Sequence, residues 1–328
     1  IVEVLSPAFR IEDHDVSITA SIGISTYPEC GDDAGSLLKT ADVAMYRAKE
    51  SGRNTYHFYS RSIHAEMSRR IQLESDLRDA IREDQFDLEY QPIADLRSGQ
   101  IMAMEALLRW NHPEHGLIRP LEFLPILENT GLMYGVGEWV LASACSQVRD
   151  WQRAFDRPDL AVMVNFSAQQ LIHRRIADVV NRVLTNADLP PHLLTIEVQE
   201  GALIEHPRAV REHMALLVKD GVRVALDDFG TGFASLQAIR QLPLTYIKLD
   251  RSLIMSLPAD PEDVAMVKAA LRFGEDMGID VIAEGLEVRE QLEFLTDNEC
   301  SLGQGHLISP PLPASAVTGF LGRDWRAA

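Results

Sequence analysis

Val224-Ala225-Leu226-Asp227-Asp228-Phe229-Gly230-Thr231-Gly232 is an apolar run that ends in two adjacent carboxylates and turns at once through Gly-x-Gly. A buried strand that stops in an Asp-Asp pair delivers charge to a sheet edge, and the two glycines let the backbone fold closely around whatever binds there. The stretch reads as a strand end carrying a metal or phosphate site. Taken alone, it reads equally well as a solvated turn whose aspartates cap the following helix.

On either side the same kind of apolar run recurs, at 86–93, 100–107, 161–166, 194–198, 222–228, 246–250, 280–284 and 301–305. Amphipathic helical stretches lie between them, at 121–129 after Pro120, 138–155, 207–220 before Gly221 and 262–277 before Gly278. Alternation of eight strands with helices predicts a TIM-like (β/α)8 barrel. The first two strands are joined by a short Ser98-Gly99 turn with no helix, so that pair is expected to be antiparallel. A doubly wound open sheet is the second architecture, and it needs a reversal of strand order.

The polar residues near the strand ends turn this rhythm into chemistry. Successive strands carry Glu105, Asn165, Glu197, the pair Asp227 and Asp228, Lys248, Glu284 and Gln304. In a barrel these ends converge on one mouth, where an active site is assembled from different strands. Five carboxylates with one lysine repel one another and drive some pKa values upward unless cations share the mouth. Carboxylate and amide oxygens without His or Cys select Mg²⁺ or Mn²⁺ over Zn²⁺. Adjacent aspartates can bridge two such cations, the arrangement used for displacement at phosphorus, so phosphodiester hydrolysis is the expected reaction class.

Composition limits the partners. With 328 residues, 46% hydrophobic positions and a formal charge of -18, the chain is an ordinary globular sequence too acidic to bind long nucleic acid without base contacts. The apolar runs are strand-sized and there is no signal-peptide pattern, so no membrane segment is expected. Cys30, Cys145 and Cys300 are scattered and fit a cytoplasmic location, with any sensory or membrane segment lying upstream of a chain that begins without Met. Gly230-Thr231-Gly232 lacks the third glycine of a dinucleotide fingerprint. His112 and His115 sit in a turn-forming Asn-His-Pro-Glu-His-Gly, and Trp110, Trp139 and Trp151 read as packing residues.

The first sixty residues form a separate α+β block: a strand at 16–26, a helix capped by Ser36 and stopped by Gly52, and a short strand at 56–59. Ser-Ile-Gly-Ile-Ser-Thr at 21–26 and the segment 37–59 closely resemble the C-terminal part of GGDEF domains, which make cyclic di-GMP, but the GG[DE]EF signature occurs nowhere in the chain. This block therefore reads as a module that is not a cyclase by itself. Domains are expected at 1–60 for the block and 85–322 for the barrel. A connecting helix at 61–84 joins them, its stripe formed by Ile63, Met67, Ile71, Leu77 and Ile81.

Residues from about 70 to 322 resemble the EAL domain, the bacterial cyclic di-GMP phosphodiesterase family. The resemblance rests on Gln91-Pro92-Ile93, Glu105-Ala106-Leu107-Leu108-Arg109-Trp110, Asn165-Phe166-Ser167-Ala168, Asp227-Asp228-Phe229-Gly230-Thr231-Gly232, Lys248-Leu249-Asp250-Arg251-Ser252, Ala283-Glu284-Gly285 and Gly303-Gln304-Gly305, in the family's order. It implies that Glu105, Asn165, Glu197 and Asp227 ligate one metal, with Asp227 bridging to a second that Asp228 also holds. Glu200 would anchor the loop 229–235, and Gln91 and Arg109 would contact the dinucleotide. Lys248 would orient a water acidified by the two cations, Glu284 would act as general base or outer-shell holder, and Gln304 would position ligand or water. The product would be linear pGpG, and a homodimer is implied. The departures are Gln199 for Thr, Gly201 for Ser, Phe233-Ala234 for Tyr-Ser and His306 for an aromatic; none is an expected metal ligand. A non-catalytic cyclic di-GMP receptor is the second functional class, one that typically loses metal ligands this chain keeps.

Overall fold

The computed structural model of the chain describes residues 1–5, 9–11, 14–16, 18–52, 54–232, 236–321 and 325. It divides into two compact units, Ile1–Asp79 and Ala80–Ala328.

In the second unit eight strands close on themselves. They are β1 (Phe86–Asp95), β2 (Ile101–His112), β3 (Ala161–Phe166), β4 (Leu194–Gln199), β5 (Arg223–Phe229), β6 (Tyr246–Leu249), β7 (Asp280–Ala283) and β8 (Leu302–Gly303). Each pairs with the next, and β1 pairs with β8 to complete the ring. Strands β2 to β8 are parallel, while β1 runs antiparallel to both of its neighbours. The helix-free Ser98-Gly99 connection leaves β1 no other direction, because a parallel return needs a crossover. The open-sheet alternative is excluded by the β1–β8 pairing.

All eight expected strands are present, within a few residues of their expected ends. The exception is β2, which continues past Leu107 to His112, so Glu105 is a mid-strand residue. Near-continuous apolar runs in β3, β6 and β7 follow from burial on both faces, as in parallel sheets covered by helices. Helices at Pro120–Thr130, Met133–Phe155, Pro207–Lys219 and Pro261–Met277 stand where expected. Those at Ile176–Ala187, Arg289–Asp297 and Ala314–Phe320 are additional. Trp110 and Trp151 are buried, whereas Trp139 is 39% exposed beside Phe86. No helix among the described residues is long and apolar enough to cross a membrane.

The first unit pairs Ile22–Ile24 in parallel with Tyr56–Phe58 through the helix Ala34–Glu50. A short antiparallel pair, Phe9–Ile11 with His14–Val16, takes part of the expected strand at 16–26. The helix is capped by Asp33, not Ser36: Asp33 Oδ1 accepts the Ser36 N–H at 2.8 Å, and Ser36 Oγ accepts the Asp33 N–H at 3.2 Å. Ser36 is thus the reciprocal member of a capping box. In the 22-residue helix Arg61–Arg82 the buried positions are Leu73, Leu77 and Ala80, while Ile71 and Ile81 are exposed. The spacing of four and then three keeps the buried set on one face, and a six-residue step from Ile71 leaves it.

Candidate active site

The barrel brings at least one polar side chain from each strand, or from the residue just beyond it, to a single mouth. Lys248 of β6 stands at the centre, 1% exposed, with its Nζ 3.2 Å from Glu105 Oε2, 3.0 Å from Glu197 Oε1, 3.3 Å from Asp227 Oδ1 and 2.7 Å from Glu284 Oε1. Asn165 Nδ2 donates to Glu105 Oε1 at 2.7 Å, and Gln304 Nε2 donates to Glu105 Oε2 at 2.7 Å. Glu105 is therefore fixed from three directions.

Two adjacent aspartates reach the same mouth because β5 bulges. Leu226 pairs with Ile247 and Phe229 with Leu249, so three steps along β5 match two along β6. In a regular strand neighbouring side chains point to opposite faces; the extra residue breaks that alternation. Asp228 sits at φ +58°, an uncommon conformation for a residue with a side chain, and Gly230 follows at φ +106°, where only glycine is comfortable. Oxygens of Asp227, Asp228 and Glu284 lie within 4.8 Å of one another.

The electrostatics are those of a crowded acidic site. Burial, followed by the nearby Glu105, pushes Glu197 well above the carboxylate range. Burial and Asp227 raise Asp228 to about 6. Burial raises Glu284 to about 8 against the pull of Lys248. Glu105 pays the same burial cost yet is lowered, because Lys248, Gln304 and Asn165 all stabilise its charge. Burial opposes the Lys248 ammonium, but Asp227, Glu105, Glu197 and Glu284 outweigh it and hold its proton firmly.

A divalent cation fits this donor set. Every donor is a hard oxygen, and one ammonium faces four carboxylates, with Asp228 a fifth beside Asp227 and Glu284. Glu197 is 1% exposed, and its Oε2 has no hydrogen-bond partner among the described residues. Its Oε1 meets Lys248 only as a close charge, outside hydrogen-bond geometry. Buried carboxylate oxygens of this kind call for a further positive partner.

Residues 74–311 match the EAL domain family, and residues 1–55 match the family described as diguanylate cyclase, GGDEF domain. The chain belongs to the EAL domain family. It is 41% identical over 97% of its length to the bifunctional diguanylate cyclase/cyclic di-GMP phosphodiesterase MucR of Pseudomonas aeruginosa, covering 46% of that protein. It is 37% identical over 98% of its length to the cyclic di-GMP phosphodiesterase NbdA of the same organism, covering 41% of it. The chain thus spans under half the length of these curated relatives. The structure of the PaMucR phosphodiesterase in complex with c-di-GMP superposes with a TM-score of 0.72 at 40% identity, covering 75% of this chain and 99% of that one.

In this EAL barrel the remaining expected residues are placed as follows. Gln91 on β1 and Gln304 join directly, Gln304 Nε2 donating to Gln91 Oε1 at 2.8 Å. Together with Lys248, Glu105 and Glu284 they line a cavity of about 260 Å³. Arg109 is on β2 beyond Glu105, where its Nε donates to Glu89 Oε2 at 2.7 Å; it lines a neighbouring cleft with Asn165 and Gln199. Glu200 is 2% exposed, and its N–H donates to the Asp227 carbonyl at 3.2 Å. Phe233 and Ala234 lie outside the described residues. His112 is a turn former, its Nδ1 accepting the N–H groups of Glu114 and His115. The partner of Arg109, Glu89, and the rim pair Arg251–Glu287 carry no signal in the sequence, since each depends on a contact between distant elements.

Proposed function

We propose that this chain is a metal-dependent phosphodiesterase that hydrolyses cyclic di-GMP to linear pGpG. The observation that carries the reading is the convergence of Glu105, Glu197, Asp227, Asp228 and Glu284 on a mouth with one ammonium, in a chain of the EAL family. Glu105, Asn165, Glu197 and Asp227 would hold one Mg²⁺ or Mn²⁺, and Asp227 with Asp228 a second. Bound there, the cations would supply charge neutralisation and acidify the attacking water.

The chain's own groups divide the remaining work. Lys248, whose proton is held by surrounding carboxylates, acts as a fixed positive charge beside the reacting phosphate and not as an acid. Glu284, joined to Lys248 through Oε1, accepts a proton from the water. Attack at one phosphorus forms the new P–O bond and breaks the bond to the 3′-oxygen, which takes a proton from solvent to leave as a hydroxyl, and the ring opens. Arg109 at the rim of the neighbouring cleft meets a phosphate of the dinucleotide. Glu200 steadies the loop after β5 through its place against Asp227. The domain boundary falls within the helix Arg61–Arg82, the chain forms a homodimer, and its unpaired cysteines suit the cytoplasm; light scattering tests the dimer.

The deciding assay is cyclic di-GMP turnover with Mg²⁺ or Mn²⁺. Glu105→Ala is expected to reduce it by at least roughly the 100-fold upper end seen for outer-shell partners of a metal. Tight binding by the wild type without pGpG formation under either cation would replace the enzyme by a receptor.

A further inference from the structure

The ladder between β6 and β7 ends where Leu249 pairs with Ala283 and Glu284 N–H donates to Leu249 O at 3.2 Å. From there one chain enters the helix Arg251–Met255 and the other the loop 284–288. Lys248 stands just before this parting and Glu284 at it, so their 2.7 Å contact lies where the backbone stops holding the two segments together.

One buried side chain joins them again. Gln291, in the first turn of the helix Arg289–Asp297, is 3% exposed, and its amide oxygen and nitrogen each make two bonds. Oε1 accepts the N–H groups of Glu287 at 2.8 Å and Val288 at 3.1 Å, while Nε2 donates to Ile254 O at 3.1 Å and Met255 O at 3.4 Å. A half-turn of the amide would set oxygen against oxygen, so it has one direction. The Oε1 bonds alone would be a helix cap, half of a capping box that Val288 cannot answer with a side-chain oxygen. The Nε2 bonds serve no such purpose, because they cross to the last carbonyls of a helix that follows a different strand. Nearer the rim the same two segments meet again: Arg251 pairs with Glu287 at 2.6 Å, and its stem covers Gly285, where a Cβ would overlap it. That pair is about half exposed and screened by water, whereas the Gln291 bonds are sealed behind the cavity that Lys248, Glu284, Arg251 and Glu287 line.

We propose that Gln291 is a positioning residue that clips the segment after β6 to the segment after β7 and so holds Glu284 against Lys248. This rests on the reading of Glu284 as a catalytic group. Without the clip, the loop carrying Glu284 keeps its chain connections but loses its buried tie to the helix that follows Lys248.

The test compares Gln291→Met, which removes both pairs of bonds, with Gln291→Glu, which keeps the cap but sets an oxygen against the Ile254 and Met255 carbonyls. In the full chain, amide hydrogen exchange should rise over both 251–257 and 284–288 in Gln291→Met, and over 251–257 in Gln291→Glu. With saturating Mn²⁺, kcat for cyclic di-GMP should fall about 10-fold or more in both variants, the scale of a small misplacement of a reacting group. In a Glu284→Gln background, adding Gln291→Met should cost no more than about 2-fold further, because the clip acts through Glu284. If Gln291→Met does not fold, Gln291→Glu carries both measurements. Faster exchange confined to 284–297, a wild-type kcat in Gln291→Glu, or a full additional loss in the Glu284→Gln background would overturn the proposal and leave Gln291 a helix cap. A wild type without turnover would instead overturn the phosphodiesterase reading, and the exchange pattern would still decide whether the clip exists.

Discussion

At the scale of single residues, Lys248 is the group on which the others depend. It is the ammonium shared by four carboxylates, and Glu105, Glu197 and Lys248 are each less than a tenth exposed. Removing one partner of a buried charge cluster leaves the rest uncompensated. Lys248→Met is expected to destabilise the metal-free protein by about 3–5 kcal/mol near neutral pH, as read from urea unfolding. The carboxylates make a second prediction. Asp228 is raised from 3.8 to about 6 and Glu284 from 4.5 to about 8. Between those values the folded metal-free protein holds protons that the unfolded chain has released, so its stability is full below the lower value and falls as pH rises through the window. The melting temperature in EDTA should drop from about pH 4.5 to about pH 8, and the gain on adding Mn²⁺ should grow over the same range. A metal-free melting temperature that climbs with pH would contradict the assignment. The identities of these residues were legible in the sequence; the split that lowers Glu105 while raising Glu197 was not, because it depends on which carboxylate faces Asn165 and Gln304.

At the scale of elements, the site depends on backbone irregularities and on what packs behind them. The β5 bulge carries Asp227 and Asp228 to one mouth, and Gly230 closes the turn with a Cβ position only 2.4 Å from Leu253 Cδ1. Gly230→Ala is expected to cost about 1–3 kcal/mol in thermal unfolding through its φ alone, and more from the clash. Beyond β3, Ser167 Oγ accepts the Gln170 N–H while Gln170 Oε1 accepts the Ser167 N–H, a capping box that begins two residues after Asn165. A Cβ on Gly137 of the helix Met133–Phe155 would stand 1.8 Å from Gln170 Nε2. Gly137→Ala should therefore break the box, cost about 1 kcal/mol or more in urea unfolding, and add little to the cost of Ser167→Ala. Apolar periodicity gave the strands and the longer helices. It could not give the bulge, whose extra residue is defined only by its neighbour β6, nor the exchange of Asp33 for Ser36 as helix cap, since two capping residues three apart are equally plausible until the backbone is placed.

At the scale of the whole molecule, every strand paired in the barrel sheet belongs to the second unit. The match to the PaMucR phosphodiesterase structure covers 75% of this chain and 99% of the chain in that structure. A fragment covering residues 74–321 is expected to fold cooperatively and keep Mn²⁺-dependent turnover within about 3-fold, checked by circular dichroism melts and the pGpG assay. Loss of the cooperative melt would make the first unit a structural requirement. The sequence by itself determined the number and order of the barrel strands, the antiparallel start and the chemical types at the mouth, because apolar runs, a short helix-free connection and side-chain identity are all local properties. The ring closure of β1 on β8, which four of the carboxylates meet the ammonium directly, and the amide chain from Ser309 through Gln91 and Gln304 to Glu105 were decided only by the tertiary structure. The Gln91–Ser309 bond joins residues 218 positions apart, and the direction of each amide follows from a carbonyl that no sequence pattern marks.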